Sequence, residues 1–394
     1  MLPKATVQAI CHDEAAAAVL VPVLRGLSPD RTRPEIVSLT RWGRRRGIPS
    51  GPTPLLRSAF LRSAGPRPDL LLVHADPGHP LPDWAQTQVD RERARGALVL
   101  AVQRGCFHPP AHAAIDPDRV VEGQVPPTSA LPAAHSWDAI AIWGEGFREA
   151  LPTGSRAVVT GSLALEELLA AVDAEGDGLP ALHKELRFKM GQAVNRALGL
   201  APRSPIALLH LGLKPHWWPE ARIQTLMATI LTALRDKGLQ PVVWPTPAED
   251  ATVARLYREA ATGILPAGLP ILRPRVLSSL PLGTWLLGSR MLLTGGHTPG
   301  LQAAALGVPA LALVPPDAPY TPDFLHTTGH PVLRDPLAYL GESLATHIGT
   351  LLETPPDPLP FREFLARMDG GALPRTLAAA SFLLEQVTGP RPPA

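Results

Sequence analysis

The sequence predicts an α/β protein built from two doubly wound, Rossmann-like domains that face a cleft. Short apolar runs alternate with helix-like segments in both halves of the chain, which is typical of parallel sheets covered by helices. The 394 residues, 45% of them hydrophobic, exceed the length at which one core usually stops growing. We expect a first domain over residues 1–162, linking helices over 163–204, a second domain over 205–370, and a last helix over 371–394 that could pack back on the first domain.

The first half alternates apolar runs with helical patterns. We predict strands over 5–10, 36–39, 69–74, 97–102, 137–143 and 157–160, and helices over 15–27, 55–64, 145–151 and 165–172. The second half repeats the rhythm. We predict strands over 206–211, 240–244, 270–272, 291–293 and 310–314, and helices over 182–198, 220–237, 252–261, 337–352 and 361–387, the last interrupted over 370–374.

Polar side chains follow the first strands. His12 comes directly after the first strand, and His74 and Asp76 lie at the end of the strand over 69–74. Ligands of open parallel sheets bind at the carboxyl ends of the strands, so His12 is the first candidate for a catalytic base, with Asp76 as an orienting or alternative group. Asp13 and Glu14 could equally serve only to cap the following helix.

A glycine-rich turn follows the strand over 291–293 and leads into an alanine-rich helix ended by Gly307. Gly295, Gly296 and Gly300 permit unusual backbone angles and close approach, and the amides of residues 296–301 could face an anion at the helix N-terminus. The turn is therefore a candidate phosphate cradle. The alternative, in which the glycines serve only the turn, stays open.

Charge and cysteine content exclude several classes of protein. Lys plus Arg (37) against Asp plus Glu (35) gives a net charge of +2, which argues against wrapping by nucleic acid. Two cysteines build neither a disulfide framework nor a zinc site. No stretch approaches the roughly 20 apolar residues of a membrane span, so we expect a soluble protein. The low cysteine content fits the reducing cytoplasm. We expect no metal and no cofactor. A basic run could form a solvated loop, or meet an anionic acceptor or a membrane surface: Arg41, Arg44, Arg45 and Arg46.

The order of these motifs resembles the GT-B glycosyltransferases and their relatives, the UDP-N-acetylglucosamine 2-epimerases, most strongly from residue 137 to 333. WDAIAIWGEGFREAL and AVVTGSLALEELLAAV are similar to the end of the first domain in the epimerase-like branch, with Ser162 and Leu163 in place of Asn-Pro. PIALLHLGLKP, over 205–215, is similar to the first strand and glycine turn of the nucleotide-binding domain. The resemblance implies that Gly212 lies near the donor phosphates and that Lys214 neutralises them, although Lys214 could also be an ordinary surface lysine.

The resemblance extends to the donor motif around the second glycine turn. It implies that this turn holds the donor diphosphate, and that Gln302 occupies the position of a Glu that binds the ribose hydroxyls. Asp323 is the best match for the residue that holds sugar hydroxyls. The turn residues implied in donor binding are Gly295, Gly296, His297, Thr298 and Gly300.

The function implied by the resemblance is metal-independent transfer of a sugar from a nucleotide-diphosphate donor to an unidentified acceptor. His12 would take the acceptor proton, while Lys214 and the amides of the turn would stabilise the departing diphosphate. A catalytically silent binding or assembly protein is an alternative, because Gln302 replaces the expected Glu and Arg104 stands where some transferases have His. A sugar-nucleotide epimerase or hydrolase is a weaker alternative, because the DSGG-QEE motif of the epimerases is absent.

Overall fold

A computed structural model describes residues 4–12, 14–37, 55–57, 67–75, 81–104, 137–151, 154–163, 165, 180–213, 219–246, 249, 251–277, 279–280, 282–295, 298–314, 331–334, 342–365 and 371–388. The chain divides into two compact units, Met1–Glu167 with Leu365–Ala394, and Leu168–Phe364. Each unit holds one parallel sheet covered by helices, which confirms the predicted α/β class.

The strands, numbered along the chain, are β1 (Ala5–Ile10), β2 (Thr32–Val37), β3 (Leu55–Arg57), β4 (Leu70–Ala75), β5 (Leu98–Gln103), β6 (Ala139–Ile142), β7 (Ala157–Val159), β8 (Ile206–His210), β9 (Gln240–Val243), β10 (Met291–Thr294), β11 (Ala310–Val314) and β12 (Val332–Arg334). The helices are α1 (Glu14–Gly26), α2 (Asp83–Ala94), α3 (Pro180–Leu198), α4 (Glu220–Asp236), α5 (Ala251–Ala261), α6 (Pro274–Leu277), α7 (Leu282–Gly288), α8 (Thr298–Ala305), α9 (Glu342–Glu353), α10 (Leu359–Phe364) and α11 (Ala372–Thr388), with a 3-10 helix over Glu145–Ala150.

The first unit contains a seven-stranded sheet in the order β3-β2-β1-β4-β5-β6-β7. The chain adds strands on one side of β1 and then continues on the other side with β4, so the direction of winding reverses between β1 and β4. One face of the sheet packs against α1 and α11 through buried side chains such as Leu20, Val23, Ala380 and Leu383. This burial keeps β1 and β4 in the middle of a hydrophobic core.

The second unit contains a five-stranded sheet in the order β12-β11-β10-β8-β9. Here the winding reverses between β8 and β10. Helix α4 buries Ile223, Leu226, Ile230 and Leu234 against the sheet, and their spacing of three and four residues forms one helical face. Helix α9 contributes Ile348 to the same core.

Two helices of the second unit, α3 and α7, approach each other at glycines. A methyl group built on Gly288 would lie 2.8 Å from the carbonyl oxygen of Met190 and 2.8 Å from a methyl carbon of Val194. A methyl group on Gly191 would lie 3.4 Å from the carbonyl oxygen of Gly288. The absence of a side chain at Gly288 therefore sets how closely the two helices pack.

Three local predictions were wrong. The predicted helix over 55–64 begins instead with β3, because the outer edge of β2 offers backbone partners for Leu55–Arg57. The predicted strand over 270–272 is a single bridge between Ile271 and Val243. The predicted interruption over 370–374 is shifted, since α11 already begins at Ala372.

Candidate functional site

A pair of histidines lies at the carboxyl end of the first sheet. The amide of Cys11 donates to the carbonyl oxygen of Val37 at 3.0 Å and extends the pairing of β1 with β2 by one residue. His12 follows and is partly exposed, and its ring centroid is 4.5 Å from that of His74, which is 2% exposed. Because β1 and β4 flank the reversal of winding, the pair lies at the point where open α/β sheets bind ligands.

The ends of β4, β5 and β6 are tied together beside this pair. The side-chain oxygen of Gln103 accepts from the amide of Trp143 at 2.6 Å, and the indole Nε1 of Trp143 donates to the carbonyl oxygen of Gln103 at 2.9 Å. The amide of Arg104 donates to the carbonyl oxygen of Ala75 at 2.9 Å. Arg104 is partly exposed, so a cationic side chain belongs to the same sheet edge as His12.

A third histidine, His210, is the last residue of β8, which lies beside β10 at the winding reversal of the second sheet. The Nδ1 of His210 lies 3.0 Å from the carbonyl oxygen of Trp244, and the two rings are 4.5 Å apart. A carbonyl oxygen only accepts, so this bond places a proton on Nδ1. The carbonyl oxygen of His210 in turn accepts from the amide of Gly295 at 3.1 Å, which joins the ends of β8 and β10.

The glycine turn after β10 leads into α8 at the reversal point of the second sheet. Gly295 and Thr298 are partly exposed, whereas Gly300 is buried. Gln302 is 3% exposed, and its Oε1 is buried without a hydrogen-bond partner among the described residues. Buried polar atoms in folded proteins nearly always have a hydrogen-bond partner, so this oxygen is an acceptor available to a donor beyond the described residues.

Backbone angles distinguish the glycines of this region. Gly307 has φ 70° and its amide donates to the carbonyl oxygen of Ala304 at 2.9 Å, which confirms that it ends the helix. Gly212, after β8, has φ 62°. Gly295 and Gly300 are not among the glycines with positive φ, so the unusual dihedral angles expected of them from the sequence are not found there.

An acidic side chain connects the turn at Gly212 to the rest of the second unit. The Oε1 of Glu249 accepts from the amide of Leu213 at 3.2 Å and from the hydroxyl of Tyr257, while Oε2 accepts from the amide of Thr246 at 2.7 Å. Burial raises the pKa of Glu249 above its ordinary value, and these hydrogen bonds act in the opposite direction. Burial, and then the charge of Glu249, raise the pKa of Tyr257 well above its ordinary value, so the phenol is the donor.

The structure describes only part of the predicted site. Gly212, Gly295, Thr298, Gly300 and Gln302 share the second unit, around the carboxyl ends of β8 and β10, and His12 belongs to the first unit. Several predicted residues lie outside the described part of the chain: Asp76, Lys214, Gly296, His297, Asp323, Arg41, Arg44, Arg45 and Arg46.

Sequence reasoning overlooked two side chains at these strand ends. His210 closes an apolar run in the same way as His74, and that placement alone was a signal. Glu249 follows β9 by six residues, and its partner Tyr257 lies two helical turns further on, in α5. Only the fold shows that the two side chains meet.

Within the described residues, no group of three or more His, Cys, Asp or Glu side chains is arranged to hold a metal ion. Among the described helices, none combines the length and the apolar character needed to cross a membrane.

Comparisons with known proteins place the fold. No protein-family model and no curated protein matches the chain. A solved structure of a putative UDP-N-acetylglucosamine 2-epimerase from Listeria monocytogenes is 15% identical, with 99% of each chain covered and a TM-score of 0.60. The 2-epimerase from Neisseria meningitidis is 14% identical, with 96% of this chain and 100% of that chain covered and a TM-score of 0.58. The wall teichoic acid polymerase TagF is 9% identical, with 98% of this chain and 90% of that chain covered and a TM-score of 0.61. The two Rossmann-like units therefore form a protein of the GT-B-like fold, as the sequence predicts.

Proposed function

We propose that the protein is a glycosyltransferase that moves a sugar from a nucleotide-diphosphate donor to an acceptor hydroxyl without a metal ion. The observation that carries the proposal is the placement of two different polar centres at the winding reversals of the two sheets. The first sheet carries the contact between His12 and His74, and the second carries the turn at Gly295 with the helix α8 after it. A base and an anion cradle are the two parts that such a transfer needs.

The chemistry assigns one task to each centre. His12 takes the proton of the acceptor hydroxyl as the oxygen attacks the anomeric carbon of the sugar. The bond from that carbon to the diphosphate oxygen breaks, and the diphosphate leaves with the bonding electrons. Backbone amides at the start of α8 and the ammonium group of Lys214 stabilise the charge that develops, and Asp76 orients His12 or replaces it as the base.

Known structures of the same fold support a nucleotide-sugar donor. The Neisseria meningitidis epimerase structure is described as bound to UDP-N-acetylglucosamine, and a Staphylococcus aureus MnaA structure, 12% identical with a TM-score of 0.60, is a co-structure with UDP. A TagF structure includes a CDPG soak. These ligands share a nucleoside diphosphate, which is the group that the glycine turn would hold.

Two other functions have an observation in their favour. Gln302 has an amide where a ribose-binding carboxylate is expected, which favours a protein of this fold that binds or assembles without catalysis. The epimerase neighbours favour a sugar-nucleotide epimerase or hydrolase. The acidic DSGG-QEE motif of the epimerases is absent from the sequence, which argues against the epimerase.

Calorimetric titration with UDP, GDP and TDP tests the proposal. We expect saturable binding of one of them, lost in Lys214→Ala and in Gly296→Trp and kept in Lys237→Ala, a matched lysine that caps the end of α4. Absence of binding to every nucleotide would favour the assembly protein. UDP-N-acetylglucosamine incubated without an acceptor should yield no free product sugar, and its appearance would favour the epimerase or hydrolase.

A further inference from the structure

One carboxylate joins three separate segments of the second unit. Glu249 accepts from the amide of Leu213 after β8, from the amide of Thr246 after β9, and from the hydroxyl of Tyr257 in α5. Carboxyl ends of neighbouring parallel strands lie at one edge of the sheet, so the loops after β8 and β9 are neighbours there. Glu249 therefore connects both loops to a helix of the core.

The bond to Tyr257 fixes where the carboxylate lies. Tyr257 is 1% exposed and belongs to the hydrophobic core, so its hydroxyl is a rigid donor. A buried hydroxyl or carboxylate without partners costs several kcal/mol, whereas a satisfied network makes the surrounding backbone more rigid. The core thus determines the position of Glu249, and Glu249 determines the position of the amide of Leu213.

The segment held in this way is the turn at Gly212. Gly212 has a positive φ of 62°, which glycine adopts readily. The hydrogen bonds of strand β8 do not by themselves fix this conformation. Just before it lies His210, whose Nδ1 bonds to the carbonyl oxygen of Trp244 after β9. The turn is consequently fixed at both ends, by His210 before it and by Leu213 after it, and both attachments lead to the loop after β9.

We propose that Glu249 is a positioning residue that holds the Gly212 turn in the shape required to receive the diphosphate of the donor. This role rests on the proposed function, because it assumes that the turn meets the phosphates. Recognition of a charged group by backbone atoms requires placement to within about 0.5 Å, which a loop without anchors does not maintain. Glu249 itself does not touch the donor, and acts only through the amide of Leu213.

Nucleotide binding by matched variants tests the role. In Glu249→Gln, only one side-chain oxygen remains to accept from the two backbone amides, because the amide nitrogen cannot accept, whereas Tyr257→Phe keeps both oxygens and removes only one donor. We expect affinity for the bound nucleoside diphosphate to fall about tenfold in Glu249→Gln and less in Tyr257→Phe. Affinity for the matching nucleoside without phosphates should not change in either variant, a separation that a general loss of structure would not produce.

The control is Glu259→Gln in α5, the helix that also contains Tyr257. Glu259 pairs on the surface with Arg255 at 2.8 Å, so this variant removes an equivalent charge without touching the turn. It should bind like the wild type. Equal affinity of Glu249→Gln and the wild type for the diphosphate, or an equal loss for nucleoside and diphosphate, would overturn the positioning role.

Amide hydrogen exchange without nucleotide separates this inference from the proposed function. Peptides that contain Leu213 and Thr246 should exchange faster in Glu249→Gln than in the wild type, whereas peptides of the first unit should exchange as in the wild type. If exchange there is unchanged, Glu249 does not hold the turn, even where nucleotides bind. If the wild type binds no nucleotide while exchange responds as expected, the attachment exists, but the proposed function and with it the role in diphosphate binding are refuted.

Discussion

Gly288 at the contact of α3 and α7 leads to the sharpest stability prediction. Replacement by Ala would place a methyl carbon 2.8 Å from the carbonyl oxygen of Met190 and 2.8 Å from a methyl carbon of Val194. Ordinary contact begins at 3.4 Å, so the helices must separate by about 0.6 Å. Overpacking of this kind costs about 1–3 kcal/mol. Gly288 is not among the glycines with positive φ, so no backbone strain adds to that value.

Gly349 is the matched control, because it is also a helical glycine of the second unit. Among the described residues, a methyl group there would meet only the far end of the Lys237 side chain, at 2.7 Å from the ammonium nitrogen, and that side chain can swing into solvent. Ala is favoured over Gly in a helix interior by about 1 kcal/mol. We therefore expect Gly349→Ala to be neutral or stabilising.

Urea unfolding followed by circular dichroism, together with scanning calorimetry, measures both variants. Gly288→Ala should lower the melting temperature of the second unit by roughly 2–4 °C for each kcal/mol lost, while the urea m-value stays constant. Replacing either glycine reduces the freedom of the unfolded chain by the same amount, so the difference between the variants isolates the clash. If Gly288→Ala is as stable as the wild type, or if both variants shift equally, the inferred contact of α3 and α7 is wrong.

Three further predictions follow from the site. The pKa of Glu249 is raised in the folded state, so the folded protein binds this proton more tightly than the unfolded chain does. The stability of the wild type relative to Glu249→Gln should therefore fall as pH rises above the ordinary carboxyl pKa. Urea midpoints at several pH values measure this difference. Gln302→Glu should lower the melting temperature because it buries a charge, and a bound nucleotide should raise it more than in the wild type if the ribose lies there. His12→Ala should abolish sugar transfer but keep nucleotide affinity, whereas His74→Phe, which retains an aromatic ring beside His12, should keep the fold and lower turnover less.

The sequence alone predicts the elements whose pattern is dictated by burial. Strand β1 spans the predicted residues 5–10, and the helix after the glycine turn is terminated by Gly307, just beyond its last residue Ala305, because an apolar run and a glycine with positive φ each have few alternatives. Helix α2 was missed, since only Ala85, Val89 and Glu92 are buried and the helix carries no apolar stripe. Strand β3 was mistaken for a helix, because its pairing with β2 depends on a residue contact that local periodicity does not encode.

The candidate site divides in the same way. That His12 follows a strand is visible in the sequence, and so is the glycine turn at Gly295. The contact of His12 with His74 depends on β4 lying next to β1, which is a property of strand order. The hydrogen bond between Glu249 and Leu213 likewise depends on the fold, because α5 places the hydroxyl of Tyr257 against the same carboxylate. Sequence reasoning therefore found side chains at strand ends, but not which of them meet.

Hydrogen bonding to the backbone of neighbouring segments distinguishes some of the polar side chains at these strand ends. Gln103 and Glu249 direct their side-chain oxygens at backbone amides of neighbouring segments, Trp143 in one case and Leu213 and Thr246 in the other. Oxygens engaged in this way hold loops and have little capacity left for a substrate. His12 is partly exposed at the reversal point of the first sheet, where its ring contacts that of His74. Chemistry is therefore expected at His12, whereas substitutions at Gln103 or Glu249 should act through the shape of the loops that they hold.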